Sequence, residues 1–571
     1  MRPALYSIFG LIVLLGCFLV VSRFALRGAL TPWLGEARMD NRGIELGVDI
    51  HRWPGLAGRR ADQEEVLSGT SLEIIEHWAE REFLDWAENG KVTMTRVLLA
   101  RMLTGRDIDR VNRYLLAARP YAGSGSSYEL RPQADYDFAE IVLAGFPFLF
   151  GAQPEVLWPK TLAHIVDVLL IEKGYRIRWT VPGSLGTVRE TENHILMTEG
   201  TRMLRNLWLI KSGADDSTRH VRRTGEHARA LARYIRDLEQ RGLYEFNSQP
   251  YGGYTLAAVL IIHAFAQEPE LTAASQRLLD RISYQYATSG MGLRRVVPFR
   301  RQLGRSDRTS VYEDPLTAAM VSWYGDALLT GDVANQPNLH HAVIPAAMPY
   351  RPGPLVDRFM LGDESAARSY GEGKLILIGR GEGSSPEIHY RGEGYLISAG
   401  GVSWGRGSGI VARPTVLIRD DAVTDLTGML RIVGAGDLTS WNNTGVQRDF
   451  AVGKGPLLIP DGWRAVARSG NWRIFPLGDR RPGWVVTYSD SRVSLFAVTA
   501  RSTEGPQAIL EKVLAANPNA TQLVRRFAAP GGAEFSYDAD APRGTWVMKG
   551  VDGQNVDRDY QAWPRLRFIG R

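Results

Sequence analysis

The sequence predicts an α+β multidomain protein, with an N-terminal α/α toroid of helical hairpins followed by a C-terminal antiparallel β-sandwich. Three observations lead to this prediction. The chain has 571 residues, more than a single hydrophobic core usually organises. Apolar residues recur with helical spacing from about residue 60 to 330. After Pro345 the pattern changes to short β-type runs separated by Gly, Asp, Asn and Ser. The predicted parts are a signal segment at 1–30, a toroid at 35–345 and a sandwich at 346–571.

The N-terminal segment contains an uncharged apolar run from about Ala4 to Val21. Its length is near the minimum for a helix that spans a bilayer, and no Ala-x-Ala cleavage site follows it. We therefore predict a signal anchor that attaches the chain to a membrane, with the body periplasmic or extracellular. The stretch Leu14–Cys17 also fits a lipoprotein signal, which is the second interpretation. Arg23 and Arg27 after the run favour the opposite orientation by the positive-inside rule, so the orientation stays open.

Composition limits the chemistry that the chain can perform. The formal net charge of +6 suits an acidic partner as well as simple solubility. The single cysteine excludes intramolecular disulfides and cysteine metal sites, and His389 is the only histidine of the predicted sandwich. Because the sequence has no phosphate-binding loop, serine-hydrolase elbow, zinc-protease motif or nucleic-acid-binding motif, we predict no metal, no cofactor and no nucleic acid.

The helical prediction rests on apolar residues at i, i+3, i+4 and i+7, with turn or cap residues between the segments. No strict repeat accompanies them, which disfavours a regular helical solenoid. The predicted helices are Glu64–Glu88, Val92–Leu103, Ile108–Ala118, Tyr136–Phe150, Thr161–Lys173, Glu190–Ile210, Arg219–Arg241, Thr255–Ala266, Glu270–Tyr286 and Pro315–Leu329.

The second half is predicted to begin with an irregular proline-rich linker at 345–362. Antiparallel strands follow, and the segment Pro506–Ala516 is the one with clear helical spacing. The predicted strands are Lys374–Ile378, Gly394–Ser398, Gly409–Val411, Thr415–Ile418, Trp472–Phe475, Trp484–Thr487 and Val493–Thr499.

Two polar stretches lie at predicted helix entrances. The first is Arg189–His194, and the second is the tyrosine-rich stretch Tyr244–Tyr254. In a toroid the entrances of the inner helices face a central cleft, so the two stretches are expected to contribute to one site. An Asn-His pair at a helix start and a tyrosine-rich loop some sixty residues later, on such an architecture, resemble the heparinase II/III-like and alginate-lyase-like polysaccharide lyases.

The resemblance implies cleavage of an acidic, uronate-containing polysaccharide by β-elimination, without a cofactor. It assigns Asn193 to neutralising the substrate carboxylate, and His194 to acting as base or pairing with that carboxylate. Tyr251 or Tyr254 is then the acid that protonates the leaving oxygen.

Further residues near these stretches are predicted substrate contacts. Arginines at 294–308 suit bidentate binding of carboxylate or sulfate, and aromatic side chains suit stacking on sugars. The predicted contacts are Glu192, Asn247, Arg294, Arg295, Arg300, Arg301, His389 and Trp441.

Other interpretations stay open at this stage. Asn193 can be a helix cap, His194 a core residue, and the two tyrosines packing residues. A non-catalytic glycan-binding or envelope polysaccharide assembly protein is the first functional alternative. A toroid glycoside hydrolase, which needs two carboxylates, is the second, and the oligomeric state is open. The candidate carboxylates for a hydrolase are Asp135, Asp137, Glu192 and Glu245.

Overall fold

The structure is a computed structural model of the chain, and it describes most of the residues after the N-terminal segment. The N-terminal segment at 1–30 and Trp441 lie outside the described residues, so the predictions made for them stay predictions. Among the residues that are described, none of the helices combines the length and apolarity that a membrane span needs. The described residues are 69–120, 135–181, 188–362, 374–378, 387–401, 410–434, 442–478, 482–542, 545–556 and 567–568.

Helices occupy the N-terminal half, as predicted. Two of them include a π-helical turn, at Gly90–Met94 and at Ile165–Leu169. The α-helices of this half are Gly69–Glu80, Trp86–Asn89, Thr95–Thr104, Ile108–Ala117, Asp137–Phe150, Pro159–His164, Glu192–Lys211, Thr218–Arg241, Tyr251–Phe265, Pro269–Ser289, Pro315–Leu328, Val343–Ala347 and Pro354–Leu361.

The helix Asp137–Phe150 is buried along its whole length, because almost all of its residues are apolar. It packs against the helix Glu192–Lys211. Gly200 permits the close approach, since a Cβ atom there would lie 3.1 Å from Ile141 Cδ1 and 2.9 Å from Ile262 Cδ1. This packing holds the start of one helix beside the start of the other.

The predicted linker at 345–362 is wrong in part, because it overlaps the end of the helix Val343–Ala347 and contains the helix Pro354–Leu361. Pro354 is the first residue of the second helix, where its missing N–H costs nothing. Gly362 ends that helix with a φ of +74°. Here proline marks a helix start and not an unstructured connection.

The C-terminal half is built from antiparallel sheets, as predicted. The predicted helix Pro506–Ala516 is also present, with the same bounds. The seven-stranded sheet has the order Leu457–Leu458, Leu430–Ile432, Thr415–Arg419, Tyr395–Gly400, Glu387–Gly392, Lys374–Ile378 and Arg567–Phe568. The six-stranded sheet has the order Val446–Gln447, Phe450–Gly453, Ser494–Ala500, Gly483–Ser489, Trp472–Pro476 and Ala467–Ser469. The four-stranded sheet has the order Arg526–Ala528, Glu534–Tyr537, Met548–Val551 and Gln554–Asn555.

The larger sheets face each other across one core. Ile397 and Leu417 of the seven-stranded sheet share a buried cluster with Phe475 and Val485 of the six-stranded sheet. Because successive side chains of a strand point to opposite faces, the neighbour Ile474 belongs to a second cluster. In that cluster the other face of the six-stranded sheet packs on the helix Pro506–Ala516 and on the four-stranded sheet. These stacked layers account for the core of the C-terminal half.

By its internal contacts the chain divides into two compact units. Among the described residues, the first unit lies within Ile75–Leu231 and Ile261–Leu271, and the second comprises 69–74, Ala232–Leu260 and the described residues from Thr272 onward. The second unit therefore contains the described sheets together with several helical segments.

Candidate functional site

The first polar stretch, Arg189–His194, leads into the helix Glu192–Lys211 of the first unit. Thr191 precedes the helix with extended backbone and occupies the N-cap position. Its hydroxyl donates to Asn193 Oδ1 at 2.5 Å and does not cap a backbone N–H. Asn193 is the second residue inside the helix, so the cap interpretation of Asn193 is wrong.

The Asn193 side chain is fully buried. Its Nδ2 atom has no hydrogen-bond acceptor among the described residues. A buried donor without an acceptor costs about 1–3 kcal/mol, so an incoming ligand oxygen would relieve this cost. Asn193 is therefore placed to donate a hydrogen bond.

His194 forms a buried pair with Asp137, across the packed helices. His194 Nδ1 lies 2.6 Å from Asp137 Oδ2, and their side chains are 11% and 6% exposed. The His194 ring also packs edge-to-face on Phe138, with centroids 5.4 Å apart. Among the described residues His194 Nε2 has no hydrogen-bond partner, which leaves it as the nitrogen that can meet a ligand.

The charge state of His194 follows from its surroundings. Burial by itself lowers the pKa of His194, but the charge and hydrogen bond of Asp137, with help from Glu190 and Asp135, raise it to about 10. At neutral pH the ring is therefore an imidazolium. It can donate through Nε2 while Nδ1 is held by Asp137.

Other carboxylates line the same helix entrances. Asp135 is paired with Lys91, whose ammonium group lies 4.7 Å from the ring centre of Phe138. Glu190 and Glu192 are both buried. Asp135 and Asp137 are two of the candidate carboxylates for a hydrolase. Asp135 contacts Lys91, and Asp137 contacts His194.

A second buried network lies further along the helix Glu192–Lys211. The Arg202 guanidinium contacts the carboxylates of Glu199 and Glu172. Glu199 also accepts from His227 Nε2 at 3.0 Å. These charges are buried and mutually paired, as buried ions must be for stability. This network was not predicted from the sequence, although charged residues on an otherwise apolar helix were a signal for it.

Glu140 adds an unusual carboxyl group to the first unit. Its Oε1 atom accepts from the backbone N–H groups of Ile171 and Glu172, at 2.6 and 3.1 Å. Burial, together with the nearby charge of Glu172, raises the pKa of Glu140 well above its ordinary value. Its hydrogen bonds connect the loop residues Ile171 and Glu172 to the helix Asp137–Phe150.

The second polar stretch belongs to the second unit. Tyr251 begins a helix, and the Arg301 guanidinium lies 4.5 Å from the centre of its ring. Arg301 Nε is also 2.6 Å from Glu245 Oε1. Arg301 and Gln302 both have positive φ, +64° and +60°, which is strained backbone for residues other than glycine. The strained turn places a guanidinium on the face of a candidate catalytic tyrosine.

Tyr254 packs against two histidines that the sequence analysis did not connect with it. Its ring lies 4.6 Å from that of His341 and 6.3 Å from that of His340. Gly253 makes room for the first of these, because a Cβ atom there would lie 2.3 Å from His341 Nδ1. In the sequence, the glycine pair Gly252–Gly253 was the feature that could have indicated a side chain packed closely against this helix.

Arg305 lies near both tyrosines. Its Nη1 atom is buried and has no hydrogen-bond partner among the described residues. Burial and the charge of Arg308 lower the pKa of Arg305, against smaller opposing effects that include those of Tyr254 and Tyr251. Arg305 thus adds a guanidinium group that interacts electrostatically with Tyr254 and Tyr251.

Three predicted substrate contacts belong to one buried network. Asn247 Nδ2 donates to Pro298 O at 2.9 Å and to Glu387 Oε1 at 2.7 Å, and Asn247 Oδ1 accepts from Arg295 at 3.0 Å. Arg295 also pairs with Asp314, and its side chain is only 1% exposed. His389 is fully buried beside Glu387, and burial lowers its pKa. The contacts of these three side chains are all with other residues of the chain. A role in glycan binding stays a prediction for each of them.

The remaining predicted arginines differ in setting. Arg294 pairs with Asp421 at 3.0 Å, whereas the guanidinium of Arg300 lies 3.7 Å from the ring centre of Tyr244. The expected loop is partly extended, because Arg294–Arg295 pairs with Gly290–Met291 and Phe299–Arg300 pairs with Ile410–Val411. Arg294 is thus anchored, while Arg300 stacks on an exposed aromatic ring.

In the described part of the chain, no group of three or more His, Cys, Asp or Glu side chains is arranged to hold a metal ion. No protein-family model, no curated protein and no solved structure matches this chain.

Proposed function

We propose that the chain is a polysaccharide lyase-like protein that cleaves an acidic, uronate-containing glycan by β-elimination. The observation that carries the proposal is the His194–Asp137 pair directly beside Asn193, whose buried amide donor has no acceptor among the described residues. These two consecutive residues offer neutral and cationic donors to a carboxylate, which is the group that a uronate lyase must neutralise first.

The raised pKa of His194 favours one of its two possible roles, that of binding the substrate carboxylate. An imidazolium cannot accept the proton from C5, so we assign His194 to binding the carboxylate and the developing enolate, together with Asn193. Tyr251 and Tyr254 are then the proposed proton-transfer groups. In the reaction the C5–H and C4–O4 bonds break, a C4–C5 double bond forms, and O4 leaves with a proton.

The rest of the proposal concerns architecture and location. We propose that the helices of the N-terminal half form an α/α toroid, and that the N-terminal segment anchors the protein with its body outside the cytoplasm. An acidic polysaccharide is the proposed partner. Arg301 and Arg305, which lie near the tyrosines, are its proposed guanidinium contacts in the second unit.

Two alternatives make different products. A glycoside hydrolase would use carboxylates such as Asp135 and Asp137, but their contacts with Lys91 and His194 hold them in ion pairs. A non-catalytic glycan-binding protein would make no product. A lyase makes an unsaturated product that absorbs in the ultraviolet, whereas a hydrolase makes only new reducing ends.

The test is an absorbance assay of the full-length protein with a panel of uronate glycans. We expect an absorbance rise with at least one glycan, and its loss in His194→Gln and Asn193→Leu. His227→Gln is the matched control, because His227 is also a buried histidine bonded to a carboxylate of the same unit. Reducing ends without an absorbance rise would identify a hydrolase, and binding without either product would identify a glycan-binding protein.

A further inference from the structure

Most exposed cations of the β-rich part are neutralised by an acidic neighbour. Arg525 pairs with Asp538 and Arg526 pairs with Glu534, each at 2.5 Å. The same holds for further exposed basic residues in this part of the second unit, namely Arg448, Lys454, Arg492, Arg501 and Lys512.

One short stretch departs from this pattern. Arg464, Arg468 and Arg473 are all exposed, and none forms a salt bridge with a described residue. Two of them donate hydrogen bonds to nearby backbone carbonyls: Arg464 to those of Asp461 and Trp463, and Arg473 to that of Asn471. Three unneutralised guanidinium groups are therefore concentrated within ten residues of chain.

The strand register brings two of these arginines together. Ala467–Ser469 is the last strand of the six-stranded sheet, and it pairs with Trp472–Pro476 so that Arg468 stands directly opposite Arg473. Directly opposed side chains on an antiparallel pair are about 5 Å apart at Cβ, and like charges there destabilise the sheet. The arrangement costs stability in the free protein and is relieved by an anion that bridges the two guanidinium groups.

We propose that Arg464, Arg468 and Arg473 form a binding surface for an extended acidic polysaccharide, remote in sequence from the catalytic candidates. The glycan class rests on the proposed function, whereas the anion-binding character rests on the strand pairing and on the exposed arginines that lack acidic partners among the described residues. All three cations are arginines, whose planar fork binds carboxylate or sulfate groups in a bidentate manner. The exposed Val466 lies between the first two and offers apolar contact to a sugar face.

An anionic membrane surface is the competing partner. Sequence-readable binding to anionic lipids usually involves about four to eight basic residues, and this surface has fewer. The electrostatic field of an anionic membrane is diffuse, so it attracts lysine as readily as arginine. All three basic residues of this surface are arginines. The opposed arginine pair is better suited to discrete acidic groups spaced along one chain.

The experiment compares two double variants of the full-length protein that lose the same charge. Arg468→Gln with Arg473→Gln removes the opposed pair, and Arg525→Gln with Arg526→Gln removes two neutralised surface cations. Binding is measured at low salt to alginate, to neutral dextran, and to vesicles of phosphatidylcholine with phosphatidylserine. We expect the first double variant to lose about tenfold in alginate affinity, and the second to change by less than about twofold.

Three other binding results contradict the proposal. Equal losses in both double variants would mean that only net charge matters, and a loss confined to vesicles would identify a membrane surface. Unchanged alginate binding in the first variant would exclude the surface. Turnover of a short oligouronate distinguishes the binding surface from the proposed lyase activity. The first double variant should keep this turnover. If the unmodified protein does not turn over the oligouronate, the lyase proposal is contradicted, but the binding result still stands.

Discussion

His194 Nδ1 lies 2.6 Å from Asp137 Oδ2, although 57 residues separate the two in the chain. The contact fixes the orientation of the ring and leaves Nε2 as its ligand-facing nitrogen. It also makes the imidazolium the stable form at neutral pH, because the carboxylate outweighs the effect of burial. The proposed role of His194 in binding a substrate carboxylate follows from this one relationship.

The first prediction concerns pH and the stability that His194 contributes. Its pKa is about 10 in the folded protein and near 6.5 without its partners, so the contribution is complete below about pH 6.5. It is lost as the pH rises towards 10. We expect the unfolding free energy of the native protein, relative to His194→Gln, to fall by a few kcal/mol between pH 6.5 and pH 10 in denaturant titrations. A difference that stays constant over this range would contradict the ion pair.

The second prediction separates function from stability at Asn193. Asn193→Leu removes the buried Nδ2 donor, which has no acceptor among the described residues, but also the Oδ1 atom that accepts from the Thr191 hydroxyl. Because the gain and the loss offset each other, the unfolding free energy should change by less than about 1 kcal/mol. The same variant should abolish formation of the unsaturated product. Asn206→Leu is the control, since the Asn206 amide donates to Gly174 O at 2.9 Å and its loss should cost about 1–3 kcal/mol. Equal destabilisation by both substitutions would make Asn193 a structural residue.

The third prediction uses two adjacent glycines of one helix. A Cβ atom at Gly253 would lie 2.3 Å from His341 Nδ1, so Gly253→Ala should destabilise by about 1–3 kcal/mol. At Gly252 the nearest atom is Pro315 Cγ at 4.0 Å, so Gly252→Ala should be neutral or stabilise by about 0.5–1 kcal/mol through helix propensity. Thermal unfolding of the two variants tests this, and equal melting temperatures would contradict the close packing of His341.

The fourth prediction contrasts two adjacent arginines. Removing Arg295 leaves Asp314 without its partner in a site where the arginine side chain is 1% exposed, so Arg295→Gln should cost about 3–5 kcal/mol. Arg294 pairs with Asp421, which is 28% exposed and can be hydrated, so Arg294→Gln should cost clearly less. Denaturant titration of both variants is the measurement. A smaller loss for Arg295→Gln than for Arg294→Gln would show that the buried network is not a stabilising unit.

Local patterns predicted the secondary structure best. The predicted helix Glu190–Ile210 is observed at Glu192–Lys211, and the strand Thr415–Ile418 is observed at Thr415–Arg419. The edge and short strands of the C-terminal half were mostly missed, among them Ala467–Ser469. A three-residue strand has too few alternating positions to stand out in the sequence, and only its pairing with Trp472–Pro476 defines it.

In the candidate site, too, the sequence predicted individual residues but not the contacts between distant ones. The sequence singled out Asn193, His194, Tyr251 and Tyr254 by residue type and by position near helix starts. It did not reveal that Asp137 holds His194, that His341 packs on Tyr254, or that Glu387 binds Asn247 across 140 residues. Those relationships join residues from different elements, so no local pattern encodes them.

The sequence by itself determined that helices precede strands and which polar residues lie at helix entrances, because periodicity and turn chemistry act within a few residues. Only the tertiary structure decided the charge state of His194, the unpartnered amide of Asn193 and the opposed pair of Arg468 and Arg473. Each of these depends on distances between residues that packing or strand pairing brings together, and electrostatic and hydrogen-bond energies are set by those distances.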